Sequence, residues 1–232
     1  MKRVLVLLSG GLDSTTCLAM AVDKYGKDNV ETLNITYGQK HDKEIKCAED
    51  IAKHYGVNYT LIDLTDIMKY SNCSLLQHST DDIKHQSYSE QLKELGGQGT
   101  VDTYVPFRNG LMLSVAASFA ISKDCDVIYY GAHADDAAGS AYPDCTQYFA
   151  NAMNIAIFEG SGRKVEMEAP LITMNKAQIV EQGLKLNAPY EMTWSCYEGG
   201  DYACGTCGTC IDRLKAFEAN GAEDPINYMV GE

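Results

Sequence analysis

The sequence predicts an α/β protein, an open parallel sheet with helices on both faces. Two observations carry this. The first 60 residues alternate apolar, β-branched runs with segments of helical period. A loop rich in glycine and hydroxyls, Ser9-Gly10-Gly11-Leu12-Asp13-Ser14-Thr15-Thr16, stands between the first apolar run and the helix after it. A chain of 232 residues can bury a full core, as one large domain or as a domain with a small appendage.

Residues 2–8 read as a buried strand, 13–25 as a helix, 30–37 as a strand, 40–55 as a helix and 58–64 as a third strand. Residues 66–103 are less regular. They carry Ser, Asn, His and Gln in clusters and end near Gly96-Gly97-Gln98-Gly99, as expected of a mobile excursion over a site. Order returns with a helix over 109–123 and a strand over 126–130. Helices follow over 143–159 and 173–186, and residues 205–220 begin as a metal knuckle and end as a helix. Sheets of this kind bind ligands at the carboxyl ends of their strands, where the loop at 9–16 stands.

The loop has the chemistry of an anion cradle. Gly10 and Gly11 let the backbone turn tightly and approach a ligand. Ser9, Ser14, Thr15 and Thr16 add hydroxyl donors, and the following helix aims its positive end at the same point. The ligand is a phosphate or pyrophosphate, yet the chain has no G-x-x-x-x-G-K-[ST]. No lysine lies in the loop, and Asp13 stands where a carboxylate could hold a metal ion.

Net charge is −13, unevenly spread. Residues 1–60 carry eight basic and eight acidic side chains, whereas residues 124–232 carry six and seventeen. A tRNA or DNA platform needs lysines and arginines that displace counterions, so the acidic half disfavours a nucleic-acid partner. No apolar stretch approaches membrane-spanning length, and residues 4–8 are too short for a secretory signal. Nine cysteines without such a signal read as free thiols or metal ligands in a cytosolic protein.

Cys196, Cys204, Cys207 and Cys210 lie within fifteen residues, with glycines at 199, 200, 205 and 208. Four thiolates in a closed tetrahedral site point to structural zinc. An iron–sulfur cluster is the alternative, although the bacterial ferredoxin run would need a cysteine where Leu214 stands. Cys17, Cys47, Cys73 and Cys125 read as core or surface thiols, and Cys145 lies in a polar constellation.

Three further segments are richer in polar groups than packing requires. In Val105-Pro106-Phe107-Arg108-Asn109-Gly110, Asn109 is either a helix cap or a ligand contact. Arg108 opposes the macrodipole of the helix it starts, which an anion or a carboxylate partner would explain. The loop from Gly131-Ala132-His133-Ala134-Asp135-Asp136 to Ala141-Tyr142-Pro143-Asp144-Cys145 gathers carboxylates, an aromatic ring and a thiol after a strand. His133 by itself reads as a satisfied loop histidine. Lys176 follows Thr173 and Asn175, either of which can cap the next helix, and it can reach a phosphate or solvent.

These segments carry a family resemblance. Ser9-Gly10-Gly11-Leu12-Asp13-Ser14 resembles the SGGxDS loop of the PP-loop ATP pyrophosphatases. In order, Tyr37-Gly38-Gln39-Lys40-His41, Val105-Pro106-Phe107-Arg108-Asn109, Tyr142-Pro143-Asp144-Cys145 and Thr193-Trp194-Ser195-Cys196-Tyr197 follow. With the terminal Cys-Gly-x-Cys-x-x-Cys they resemble the 7-cyano-7-deazaguanine synthase family, from Arg3 to about Phe217. Thr146 departs from the Arg of many relatives, and the loop 131–142 is slightly longer.

The resemblance implies a Rossmann-like fold of the adenine nucleotide alpha hydrolase type, with a nucleotide-binding body (1–190) and a zinc-binding segment (191–232) packed on it. It implies an ATP-dependent ligase of queuosine biosynthesis. The ligase turns 7-carboxy-7-deazaguanine and ammonia into 7-cyano-7-deazaguanine through adenylated intermediates, releasing AMP and pyrophosphate. ATP would lie on Leu8, Ser9, Gly10, Gly11, Leu12, Asp13, Ser14, Thr15, Thr16, Cys17 and Leu18, with Asp13 helping to hold Mg2+. Ser9, Asp13, Arg108 and Lys176 would serve catalysis, and Arg108, Asn109, Asp135, Tyr142 and Asp144 the substrate. Tyr142 would offer the ring an aromatic face and Asp144 an acceptor. Cys196, Cys204, Cys207 and Cys210 would hold Zn2+. Ammonia is expected to enter free, since no glutaminase-sized segment is present, and the family suggests a homodimer. A tRNA-modifying, thiolating PP-loop adenylase is the rival reading.

Overall fold

The computed structural model describes residues 2–40, 43–83, 85–86 and 88–229, so His41 of the Tyr37–His41 motif lies outside the described residues. Strands β1 (Val4–Leu7), β2 (Val30–Thr36), β3 (Asn58–Asp63), β4 (Val127–Tyr129) and β5 (Glu166–Glu168) form one parallel sheet in the order β3-β2-β1-β4-β5. The α-helices are α1 (Leu12–Tyr25), α2 (Lys43–Tyr55), α3 (Thr65–Met68), α4 (Tyr88–Glu94), α5 (Arg108–Ser122), α6 (Ala134–Ala137), α7 (Gln147–Gly160), α8 (Lys176–Lys185) and α9 (Gly208–Ala219).

The pleat sends alternate residues of β1 to opposite faces. Val4 and Val6 pack with Leu18 of α1, Ile51 of α2, Ile179 of α8 and Phe217 of α9. Leu5 packs on the other side with Leu113 of α5 and Ile157 of α7. Burial on both faces explains why β1 reads as an unbroken apolar run. The expected class is therefore observed. Strand order reverses between β1 and β4, so the segments that leave their carboxyl ends diverge and open a crevice.

Several boundaries move for local reasons. Residues 143–159 do not form one helix: Pro143–Cys145 is a short 3-10 turn, and Thr146 caps α7 by accepting from the Phe149 N–H at 3.1 Å. The helix expected from 173 starts at Lys176 because Asn175 caps it, in a reciprocal box with Gln178. Phe107, in a left-handed conformation (φ 54°), precedes α5, so Asn109 is inside the helix and not its cap. Strand β5 has no apolar run to announce it, since only Met167 of its three residues is buried.

The excursion at 66–103 is anchored. Gln39 and Leu76 form an antiparallel bridge, Lys40 N–H donates to the Leu75 carbonyl at 2.8 Å, and Gln77 N–H donates to that of Gly38 at 2.8 Å. Met68, Cys73, Leu75, Leu76 and Val105 bury a small apolar cluster beneath it.

The segment after residue 190 is held in shape by one buried ion pair between two of its own residues, and it meets the body through Ala216 and Phe217, which pack with Ile179 and Tyr190. Arg213 is fully buried and donates to Asp224 through Nε (2.7 Å) and a terminal nitrogen (2.9 Å). Its remaining donors reach Thr193 Oγ1 (2.7 Å), Ser195 Oγ (3.4 Å) and the Tyr190 carbonyl (3.1 Å), while Asp224 also accepts from the Tyr228 hydroxyl at 2.6 Å. Every donor finds an acceptor, which lets a buried charge persist. Arg213→Leu strands the Asp224 charge, and denaturant unfolding should show a loss of about 3–5 kcal/mol. A loss below about 1 kcal/mol would mean that the pair does not hold the segment together.

Candidate active site

The crevice holds a cavity of about 280 Å³ bounded by the loop after β1, the ends of β2 and β4, the start of α5 and the segment 195–197. At its edge Gly10 takes φ +90°, and a Cβ there would run into the Glu44 carbonyl and the Ala48 amide of α2. The loop hydroxyls brace one another: Ser9 Oγ and Ser14 Oγ are 3.0 Å apart, Ser14 Oγ accepts from Ser9 N–H at 3.1 Å, and Gly11 N–H donates to Ser9 Oγ at 3.3 Å. No side chain among the described residues caps α1, so its first-turn N–H groups remain available to an anion.

The expected loop divides in two. Leu8, Ser9, Gly11, Leu12, Asp13 and Ser14 line the cavity. Thr15 and Thr16 do not offer it their hydroxyls, because these bond back to the carbonyls of Gly11 (2.8 Å) and Leu12 (2.9 Å). Thr16 also meets the Tyr190 hydroxyl at 2.7 Å, and the side chains of Cys17 and Leu18 belong to the core. These four residues lie a turn or more along α1 from the loop, where the helix's own carbonyls and the core take up their side chains.

Across the crevice lies a charged group. Lys176 Nζ contacts both oxygens of Asp13, at 2.8 and 2.6 Å, and its backbone N–H donates to Asp135 Oδ2 at 2.7 Å. His133 Nε2 lies 3.2 Å from Asp136 and 3.7 Å from Asp13. His133 Nδ1 is buried and has no partner among the described residues, so the histidine is only half satisfied. Burial alone would push the Asp13 carboxyl up, but Lys176 and then His133 outweigh it and hold the group below its ordinary value. Burial likewise disfavours the Lys176 ammonium, and Asp13 and Asp136 overcome it, raising its pKa.

A third wall combines a cation with aromatic rings. Arg108 donates to the Tyr37 hydroxyl at 3.0 Å, with its guanidinium 5.1 Å from that ring's centre. No carboxylate among the described residues pairs with Arg108, so the charge at the helix start is still uncompensated. Asn109 Nδ2 points to Cys145 Sγ at 3.3 Å, and Thr103 bonds the Tyr142 hydroxyl. Burial raises the Cys145 thiol well above its ordinary range, which makes it a neutral wall group. Asp144 stands behind this wall, not on it. Its Oδ2 accepts the Asn109 N–H at 2.9 Å and its Oδ1 is buried without a partner among the described residues. The expected ring acceptor therefore holds the start of α5 in place. Arg108, Asn109, Asp135 and Tyr142 do share the cavity.

The four cysteines converge beside it, with all four Sγ atoms within 4.8 Å of one another. Backbone N–H groups of Cys204 and Cys207 point at Cys196 Sγ and Cys204 Sγ, each at 3.3 Å. Amides aimed at sulfur favour thiolates, so the donor set fits a metal ion with soft ligands.

A family model described as queuosine biosynthesis protein QueC matches residues 3–221. The chain belongs to the QueC family. A relative from Archaeoglobus fulgidus named 7-cyano-7-deazaguanine synthase is 41% identical over 225 residues, 97% of this chain and 89% of its own. One of the same name from Thermoplasma acidophilum is 42% identical over 231 residues, 98% and 92%. NMN synthetase from Francisella tularensis superposes with a TM-score of 0.51 at 14% identity, over 84% of this chain and 66% of its own, and shows a shared fold.

One QueC cavity residue escapes sequence reasoning altogether. Glu44 lies on the wall near Arg108, and burial pushes its carboxyl up to about 7 although Arg108 opposes the shift. Its sequence signal is only a glutamate in the first turn of a helix, where acids are ordinary.

Lys176→Met tests the central pair. It leaves Asp13 partly buried without its cation, and chemical unfolding at pH 7 should show a loss of about 1–3 kcal/mol. A depressed carboxyl pKa contributes stability above its unfolded value that disappears as pH falls through the folded one. The gap between wild type and Lys176→Met should thus close between roughly pH 5 and pH 2. A gap that stays constant over that range would assign the loss to packing.

Proposed function

We propose that this QueC chain is the ATP-dependent ligase that makes 7-cyano-7-deazaguanine from 7-carboxy-7-deazaguanine and ammonia. The observation that carries the reading is the uncapped α1 start, which opens onto the same cavity as the Asp13–Lys176 pair and the unpaired Arg108. Near-full-length likeness to proteins named 7-cyano-7-deazaguanine synthase supports the choice of substrate. A body at 1–190 and a metal-binding segment at 191–232 form part of the reading, with a homodimer and a cytosolic location.

The site's chemistry follows from these parts. Ser9, Ser14 and the first N–H groups of α1 receive the pyrophosphate half of ATP, and Leu8 and Leu12 give the nucleotide an apolar wall. The substrate carboxylate attacks the α-phosphorus, the bond to pyrophosphate breaks, and an acyl-adenylate forms. Ammonia adds to its carbonyl, AMP leaves and a proton is lost, giving the amide. The amide oxygen then attacks the α-phosphorus of a second ATP, pyrophosphate leaves, and elimination of AMP with loss of the two amide protons gives the nitrile. Arg108 neutralises charge near the reacting carboxylate, and Lys176, released from Asp13, neutralises charge on phosphate. Asn109, Asp135 and Tyr142 orient the substrate, and Asp144 positions Asn109. Magnesium, when bound, would offset phosphate charge, with Asp13, Asp135 and Asp136 as the nearest protein oxygens.

The direct test supplies the purified protein with ATP, 7-carboxy-7-deazaguanine and ammonia. Chromatography should detect 7-cyano-7-deazaguanine together with two AMP and two pyrophosphate per nitrile. Absence of AMP and pyrophosphate from a folded, ATP-binding protein would sink the reading.

We assign zinc to the four cysteines as a structural ion. Elemental analysis should find about one zinc per chain, and Cys207→Ser should lose it together with thermal stability. Iron and acid-labile sulfide in place of zinc would reverse the assignment.

A further inference from the structure

Glu44 is a cavity carboxylate that none of these steps uses. Its place is set by its own backbone, because its carbonyl sits where a Cβ of Gly10 would be. The side chain therefore faces the cavity from the helix turn that braces the phosphate loop. Among the described residues, nothing donates a hydrogen bond to it and no cation lies within ion-pair distance, although Arg108 is near enough to attract it. An acceptor left so, partly dry, loses stability that a donor-bearing ligand can restore.

Three of the other wall carboxylates are engaged by hydrogen bonds or ion pairs. Asp13 holds Lys176 Nζ, Asp135 holds the Lys176 backbone N–H, and Asp136 faces His133. Asp212 stands at the phosphate end under the charges of Lys176 and Lys215. At the other end of the cavity, Glu44 is the carboxylate of the wall that also carries Arg108, and neither of the two is in an ion pair among the described residues. A ligand that suits both has adjacent N–H donors on one side and an anion on another. A 2-amino-pyrimidinone ring bearing a carboxylate has this form: N1–H and the 2-amino group lie side by side, matched to the two oxygens of one carboxylate. The adenine ring does not, because its N1 is an acceptor and would face the carboxylate with a lone pair.

Resting on the reading above, we propose that Glu44 is a specificity-determining residue that accepts the N1–H and 2-amino donors of the 7-deazaguanine ring. Arg108 then faces the carboxylate at the far side of the same ligand. Two charge-assisted bonds fix the ring's orientation and aim the reacting carboxylate along the cavity toward the loop.

Calorimetry on the whole chain tests this with Glu44→Ala and Glu44→Gln. The titrants are ATP alone, 7-carboxy-7-deazaguanine alone, and its analogue without the 2-amino group. Wild type should prefer the 2-amino compound by about 10–100-fold. Both variants should lose most of that preference by weakening the 2-amino compound, while ATP affinity stays within about twofold. Unchanged preference, or equal loss for ATP and the acid, overturns the role of Glu44. A wild type that binds ATP and neither acid overturns the substrate reading itself, and the role with it.

Discussion

The missing side chain at Gly10 is the constraint on which the rest of the molecule depends. The left-handed backbone there lets three parts of the chain meet where a methyl group would not fit. The loop after β1 turns into α1, the first turns of α2 press against it, and the Trp194 N–H donates to the Gly10 carbonyl at 3.0 Å. The anion cradle, the helix that carries Glu44 and the segment that leads into the cysteines are thereby set by one contact. Rigid placement of this kind is what a site built on backbone N–H groups needs, since those groups cannot adjust as side chains do.

Charge in the crevice is arranged around scarcity of cations. Asp13, Asp135, Asp136 and Asp212 gather about Lys176, whereas Arg108 on the opposite wall contacts Tyr37 and has Cys145, Tyr142, Asp144 and Glu44 near it without a close ion pair. Lys176 and Arg108 thus see different surroundings. Lys176 is held in an ion pair that a phosphate would have to displace, and Arg108 is bonded to a neutral hydroxyl with no carboxylate at ion-pair distance among the described residues. One cavity can in this way treat a polyphosphate and a carboxylic acid differently.

Much of this was legible in the sequence because it is local. An apolar run followed by Ser-Gly-Gly-Leu-Asp-Ser specifies a strand, a tight turn and a helix start, and cysteines two residues apart specify a knuckle. What escaped depends on packing between distant parts. The inward turn of Thr15 and Thr16 follows from helix phase and the Tyr190 hydroxyl, 174 residues away from Thr16. The withdrawal of Asp144 behind the wall follows from the Asn109 amide that it caps. The exposure of Glu44 to the cavity follows from Gly10, and β5 is a strand only because β4 offers it an edge. Short polar strands and isolated acids have no periodicity by which to be read.

The cavity wall is partly made of the cysteine segment. Ser195 and Tyr197 both line the cavity, and they flank Cys196, a fully buried member of the thiol cluster. No thiol of the cluster needs to touch nucleotide for its chemical state to matter. Oxidation of one thiolate to sulfenic or sulfinic acid would remove a metal ligand and free the turn on which that wall hangs. The shape of the cavity is thus tied to the state of sulfur atoms that stand outside it.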